Sequence, residues 1–198
     1  MAITINGSGT LSGISVGGLP DGIVDTDMLA ASAVTGPKLG TGAIIQTVTA
    51  EHSAEVDNTG NTYADTGLSA SITPSSSSNK ILVIVSQHWY ITRSTDQARG
   101  GIRLLRGSTV IEEGPNNNDG QEGGGFGVST ANGPSAIQTT GRYNLTLLDS
   151  PSTTSATTYK PQFCNHQTGS SPEITINKSF SGSGQNPKGY ITLMEVVA

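Results

Sequence analysis

Carboxylates, histidines and one cysteine are the groups in this chain that could do chemistry. Glu112, Glu113, Asp119 and Glu122 form its one dense acidic group. Cleaving a glycosidic bond takes two carboxyl groups facing each other across it. Glu112 and Glu113 are adjacent on an expected strand, so they point to opposite faces. Asp119 and Glu122 fall in a Gly-rich stretch with no rigid support. The group therefore reads as solvated acid, and the chain does not read as an enzyme. Nothing in the spacing brings any of the three His beside a Ser and an acid, and His88 reads as a strand residue. Cys164 and His166, in FCNH, would share a strand face, but two ligands fall short of a zinc site. The Asn and Asp spacing over 116–122 approaches a calcium loop. With Gly120 in sixth place, Pro115 stands first and Phe126 twelfth, and neither supplies a side-chain oxygen. No metal or other cofactor is expected.

The elements that would position these groups are strands. Charged residues make up 13% of the 198, against a usual ~25%. In their place stand 24 Ser, 25 Thr and 26 Gly, which are poor helix formers and suit turns and strands. Low charge with many β-branched residues gives an all-β chain. The net charge is −5 with no basic run, which excludes nucleic acid as a partner. No run of about 18 apolar residues exists, so no membrane insertion is expected. Residues 46–198 contain about nine expected strands. The clearest is Lys80–Thr92, KILVIVSQHWYIT, whose first half is apolar on both faces and so reads as covered on both sides. Gly101–Arg106 and Ser108–Glu113 form a hairpin, and Arg142–Asp149, Thr157–Cys164, Glu173–Asn177 and Gly189–Val197 follow. This pattern predicts an antiparallel sandwich or jelly-roll-like head. Residues 114–135 form the largest expected irregular segment.

Ahead of the head lies a repeat. IVDTDML from Ile23 and AVTGPKL from Ala33 align ten residues apart, and Ala43–Ile44 begins a third register. Each unit has one apolar pair and one Leu, too little to fold alone, so units stack on each other or on neighbouring chains. Two short strands are expected around Gly7–Gly9. IVDTDMLAASAVTGPKL resembles the V-T-x-x-K-L units of phage tail-fibre shafts. RLLRGSTVI, LLDSPSTTSATTYKPQ and YITLMEVVA resemble the C-terminal domains of virion structural proteins of tailed phages, especially marine ones. The first unit departs from the shaft pattern, with Asp25 for Thr and Met28 for Lys. The resemblance implies a homotrimeric fibre with an N-terminal attachment, a short shaft and a globular β head. It also implies a virion location after assembly in the cytoplasm of a bacterial host.

The expected organisation is therefore a virion-attachment segment over 1–20, a trimeric shaft over 21–45 and a β-sandwich head over 46–198. In the shaft, Val24, Leu29, Val34, Leu39 and Ile44 turn toward the three-fold axis or neighbouring chains, because a 45-residue segment this rich in Gly cannot order itself. Residues 1–20 would dock on other virion proteins of the tail or capsid by adding strands to a partner sheet. In the head, Asn116, Asn117, Asn118, Asp119 and Phe126 are the candidate partner contact. Their amides suit the hydroxyl pairs of a host-surface glycan and the ring suits an apolar sugar face. A capsid decoration, head fibre or tail connector with a purely structural role is the alternative.

Overall fold

A computed structural model describes residues 4–5, 11–12, 34, 38–93, 97–117, 121–123, 125–129, 137–165, 173–180 and 186–198. The chain divides into two compact units, Met1–Leu39 and Gly40–Ala198. In the first, β1 (Thr4–Ile5) and β2 (Leu11–Ser12) pair antiparallel, as expected around Gly7–Gly9, with Thr4 opposite Ser12.

The second unit is an all-β antiparallel sandwich of two sheets. One sheet is organised by β7 (Lys80–Arg93). Along one edge of β7 runs β12 (Ile137–Asp149), paired over thirteen residue positions from Ile137↔Arg93 to Asp149↔Ile81. The other edge is shared. β15 (Gly189–Val196) takes Lys80–Ser86, and β14 (Glu173–Ile176) takes Trp89–Thr92. β3 (Ile44–His52) continues the sheet beyond β15, and β4 (Val56–Asn58) continues it beyond β14. The second sheet centres on β8 (Gln97–Arg106) and β13 (Thr157–Asn165). β5 (Ala64–Asp65) and β6 (Ala70–Ile72) lie beyond β13. β9 (Thr109–Asn117), β10 (Gln121–Gly123) and β11 (Gly125–Ser129) lie beyond β8.

Alternation in the strands builds the core. Ile81, Val83 and Val85 of β7 and Ile191 and Leu193 of β15 point inward against Ile72, Leu104 and Tyr159 of the other sheet. A second cluster joins Ile91, Phe163, Ile174 and Ile176, with Trp89 and Val56 packed on it. Each such fully buried side chain stabilises the fold by about 1.5–3 kcal/mol.

Polar groups pin the sandwich at three places. At the end of β12, Asp149 accepts from Arg106 Nη1 at 2.8 Å and from the Tyr159 hydroxyl at 2.7 Å, which joins one sheet to the other. Near the end of β15, Glu195 is 1% exposed. Its Oε1 accepts from Ser75 N, Ser75 Oγ and Asn79 Nδ2, each at 2.7 Å. Where β14 stops and β15 starts on the same edge of β7, Gln87 Nε2 donates to Asn177 Oδ1 at 2.9 Å. Asn177 takes φ 61°, a left-handed conformation that Asn tolerates, and its amide reaches the carbonyls of His52 and Ala54.

Two expectations fail here. Residues 114–135 are not one irregular segment. β9 extends to Asn117, and β10 and β11 occupy 121–123 and 125–129. Polar and glycine residues gave no apolar alternation there. The strands form because β8 and β9 supply pairing partners, Gly125 opposite Gly101 and Glu122 opposite Asn116. Nor is the first half of β7 covered on both sides. Ile81, Val83 and Val85 are buried, but Ile84 is exposed and Leu82 only half-buried.

Candidate assembly surface

The uncovered side of β7 belongs to a sheet face that runs across four strands. Cross-strand partners share a face, so the register sets out its rows. One row is Leu148, Leu82, Met194 and Thr47; the next is Thr146, Ile84, Thr192 and Thr49; a third is Asn144, Ser86, Tyr190 and Glu51. At the near end, a register shift between Glu195 and Val196 leaves Ile45 as an extra residue and sets Ile44 opposite Val196. Leu148 is 49% exposed and Ile44 53%, and Ile84 and Tyr190 are also exposed. Scattered single apolar residues need no explanation, but a contiguous apolar patch rimmed by polar groups marks an interaction site.

The far half of this face is covered by the chain itself. Tyr90 is buried there, with the exposed Phe180 ring edge-on at 6.4 Å between centroids and Lys178 Nζ 5.3 Å from its own ring centroid. His88 is also buried, its Nε2 bonded to the Thr140 hydroxyl. Burial first, and then the charge of Arg142, hold the imidazole below its ordinary pKa. Arg142 stands between the two halves. Its guanidinium donates to Ser86 Oγ at 3.3 Å and the Lys188 carbonyl at 3.1 Å, and lies 5.8 Å from the Tyr190 ring centroid. All three partners are neutral. Beyond it, Lys188 pairs with Glu51 at the rim.

One side of the sandwich has little strand cover among the described residues. Among the described residues, β12 has a strand partner on one edge only. Its inward Leu145 and Leu147 reach the core cluster but stay half-buried, as does Ile111 of β9, which packs on the same cluster. Tyr143 belongs to the same seam. Its hydroxyl is pushed up, mostly by burial and then by the negative charge of Glu112.

The residues singled out in sequence are dispersed. Val24 and Leu29 lie outside the described residues, as do Asn118, Asp119 and His166. Val34 and Leu39 are exposed, and Ile44 opens β3 of the head. Asn116 and Asn117 end β9, opposite Glu122 and Gln121 of β10, and Phe126 sits on β11 opposite Gly100. Glu113 pairs with Arg103 at 3.9 Å, while Glu112 faces the seam. Cys164 is fully buried. Residues 13–17, Gly-Ile-Ser-Val-Gly, match the spacing of a serine nucleophile elbow, a motif that needs a strand–turn–helix setting. They lie outside the described residues. Sequence reasoning missed Ile84, Leu148, Tyr190 and Arg142 as surface. The apolar runs ILVIV and LTLLD marked the two strands, but the runs alone do not say which of their faces stays uncovered.

No family model and no curated protein matches the chain. Among solved structures it is similar to that of the infectious bursal disease virus Gx strain, with 12% identity over 79% of this chain and 39% of that one and a TM-score of 0.33. It is also similar to the VP2 subviral particle of infectious bursal disease virus, with 13% identity over 77% and 37% and a TM-score of 0.32. The chain spans about two fifths of the length of these structures. Overlap this loose assigns neither a family nor a function.

Proposed function

We propose that this chain is a structural subunit of a virion: a homotrimeric fibre of a tailed bacteriophage, held by residues 1–20 and displaying its β head. The observation that carries the reading is the apolar outer face of the β7 sheet, with Ile84 and Leu148 exposed beside Tyr190. Large exposed apolar side chains gathered on one sheet face suit a subunit that meets neighbours. The fibre assignment itself rests on the shaft-like repeat over 23–39 and the three head motifs. In this reading Val24, Leu29, Val34 and Leu39 meet their counterparts in the other two chains, while Ile44, drawn into β3, belongs to the head. Asn116, Asn117, Asn118, Asp119 and Phe126 contact a host-surface glycan, with three copies adding avidity. The same apolar face also suits a capsid decoration, head fibre or tail connector.

Immunogold imaging of particles with an antibody to the head separates these. Label at the tail tip supports the fibre, label over the capsid supports the decoration, and particles without label refute both. A chain lacking residues 1–20 is expected to keep its trimeric mass and to fail to join particles. Replacing residues 115–126 with a short Gly-Ser turn is expected to lower host adsorption. Unchanged adsorption by a folded head removes the glycan contact.

A further inference from the structure

We infer that one copy's apolar outer face of the β7 sheet docks on the open seam between β9 and β12 of the next copy, with β12 innermost in the ring. The inference deepens the proposed trimeric assembly and rests on it. Three observations support it. First, the two surfaces share a border. Leu148 of β12 faces the outside of its sheet, while Leu145 and Leu147 of the same strand face the seam. Two interaction surfaces that meet along one strand make a wedge. Three wedges set around an axis, each with that strand innermost, bring the face of one copy against the seam of the next. Such head-to-tail contacts close into a ring.

Second, both surfaces are short of cover in the single chain. Leu145, Leu147 and Ile111 pack on the core yet remain half-buried, so the described residues leave this side of the core partly covered. The second edge of β12 carries thirteen residues of backbone without a strand partner among the described residues. Natural proteins normally blunt so long an edge with charge, proline or a covering element. β12 has no proline, its Asp149 is held by Arg106, and Arg142 is its one cation.

Third, the charges complement. On the outer face, the partners of Arg142 among the described residues are neutral: the Ser86 hydroxyl, the Lys188 carbonyl and the Tyr190 ring. In the seam, Glu112 is the half-buried carboxylate whose field reaches Tyr143. On a chain of net charge −5, an apolar face carrying an arginine selects an apolar seam carrying a carboxylate. The occupant of each surface is thus a second copy of this chain.

The experiment measures mass in solution by sedimentation, on the full chain, with circular dichroism to confirm the fold. Leu148→Glu and Ile84→Glu place charge on exposed positions, so the head still folds. Each is expected to weaken association roughly 100-fold or more by stranding a charge in an apolar contact. Arg142→Glu and Glu112→Arg are each expected to weaken association, and the double exchange to restore it. Restoration by the double exchange establishes the docking. If the wild-type chain is a monomer at micromolar concentration, this docking and the trimeric reading both fall. If the wild type associates and both Glu variants associate equally well, the docking alone is wrong. If the double exchange does not recover what the single changes lose, the Arg142–Glu112 contact is wrong.

Discussion

Gly141 shows how closely single residues are fitted. A methyl group there would stand 2.6 Å from the Trp89 ring, which packs on the second core cluster. Gly141→Ala is therefore expected to destabilise the head by about 1–3 kcal/mol in urea unfolding. Gly40→Ala, whose new methyl meets nothing within 4 Å, is expected to change stability by less than about 0.5 kcal/mol. Two buried titrating residues contribute to the response to acid. The folded pKa of His88 is lowered by burial and by Arg142, so an unfolded chain binds its proton first. That stability is complete above about 6.5 and is lost as pH falls toward the folded value. For Glu195, burial pulls the pKa up, but the donors from Asn79 and Ser75 outweigh it and leave the pKa lowered. Its contribution is complete above about 4.3 and is lost as pH falls through the folded pKa. Denaturant midpoints measured from pH 8 to pH 3 are expected to fall in two steps. His88→Gln removes the first, and Glu195→Gln shrinks the second.

Between strands, Asp149 is the contact to break. It joins β12 to β8 and β13 through Arg106 and the buried Tyr159 hydroxyl. Asp149→Ala strands the Tyr159 hydroxyl, leaves Arg106 with the Ser150 carbonyl, and is expected to cost about 1–3 kcal/mol, while Tyr159→Phe, which removes only one of the two contacts, costs less. Urea midpoints compare the two. The elements themselves were largely legible in the sequence. The strand expected over Lys80–Thr92 is β7, Lys80–Arg93, and the strands expected from Thr157, Glu173 and Gly189 begin where expected. Part of what escaped lacked apolar alternation. β12 begins at Ile137 rather than Arg142, through Gln-Thr-Thr-Gly, because β7 offers a continuous pairing edge. β10 and β11 were missed for the same reason, since pairing with a distant strand leaves no local mark. The candidate surface was less legible. A run such as ILVIV announces a strand with two apolar faces, but only the sheet arrangement tells which face another layer covers.

For the whole molecule, β7 and β15 hold the head together. β7 is flanked by β12, β14 and β15, and its inward residues fill the main core cluster. Amide hydrogen exchange is expected to be slowest in β7 and β15 and fastest in β10, which pairs with β9 alone among the described residues. The position of β15 has a consequence for how the chain is made. It lies between β3 and β7, the first strand of the head and the longest, yet it leaves the ribosome after both of them and after the other described strands. Until it arrives, the facing edges of β3 and β7 have nothing between them, and Val83, Val85 and Val48 lack the cover of Ile191 and Leu193. Folding therefore waits on contacts between residues more than a hundred positions apart, which form slowly. A nascent chain in this state carries exposed apolar strands. Many such chains on one message would sit close together, so copies that are to assemble meet while their sheets are still unfinished.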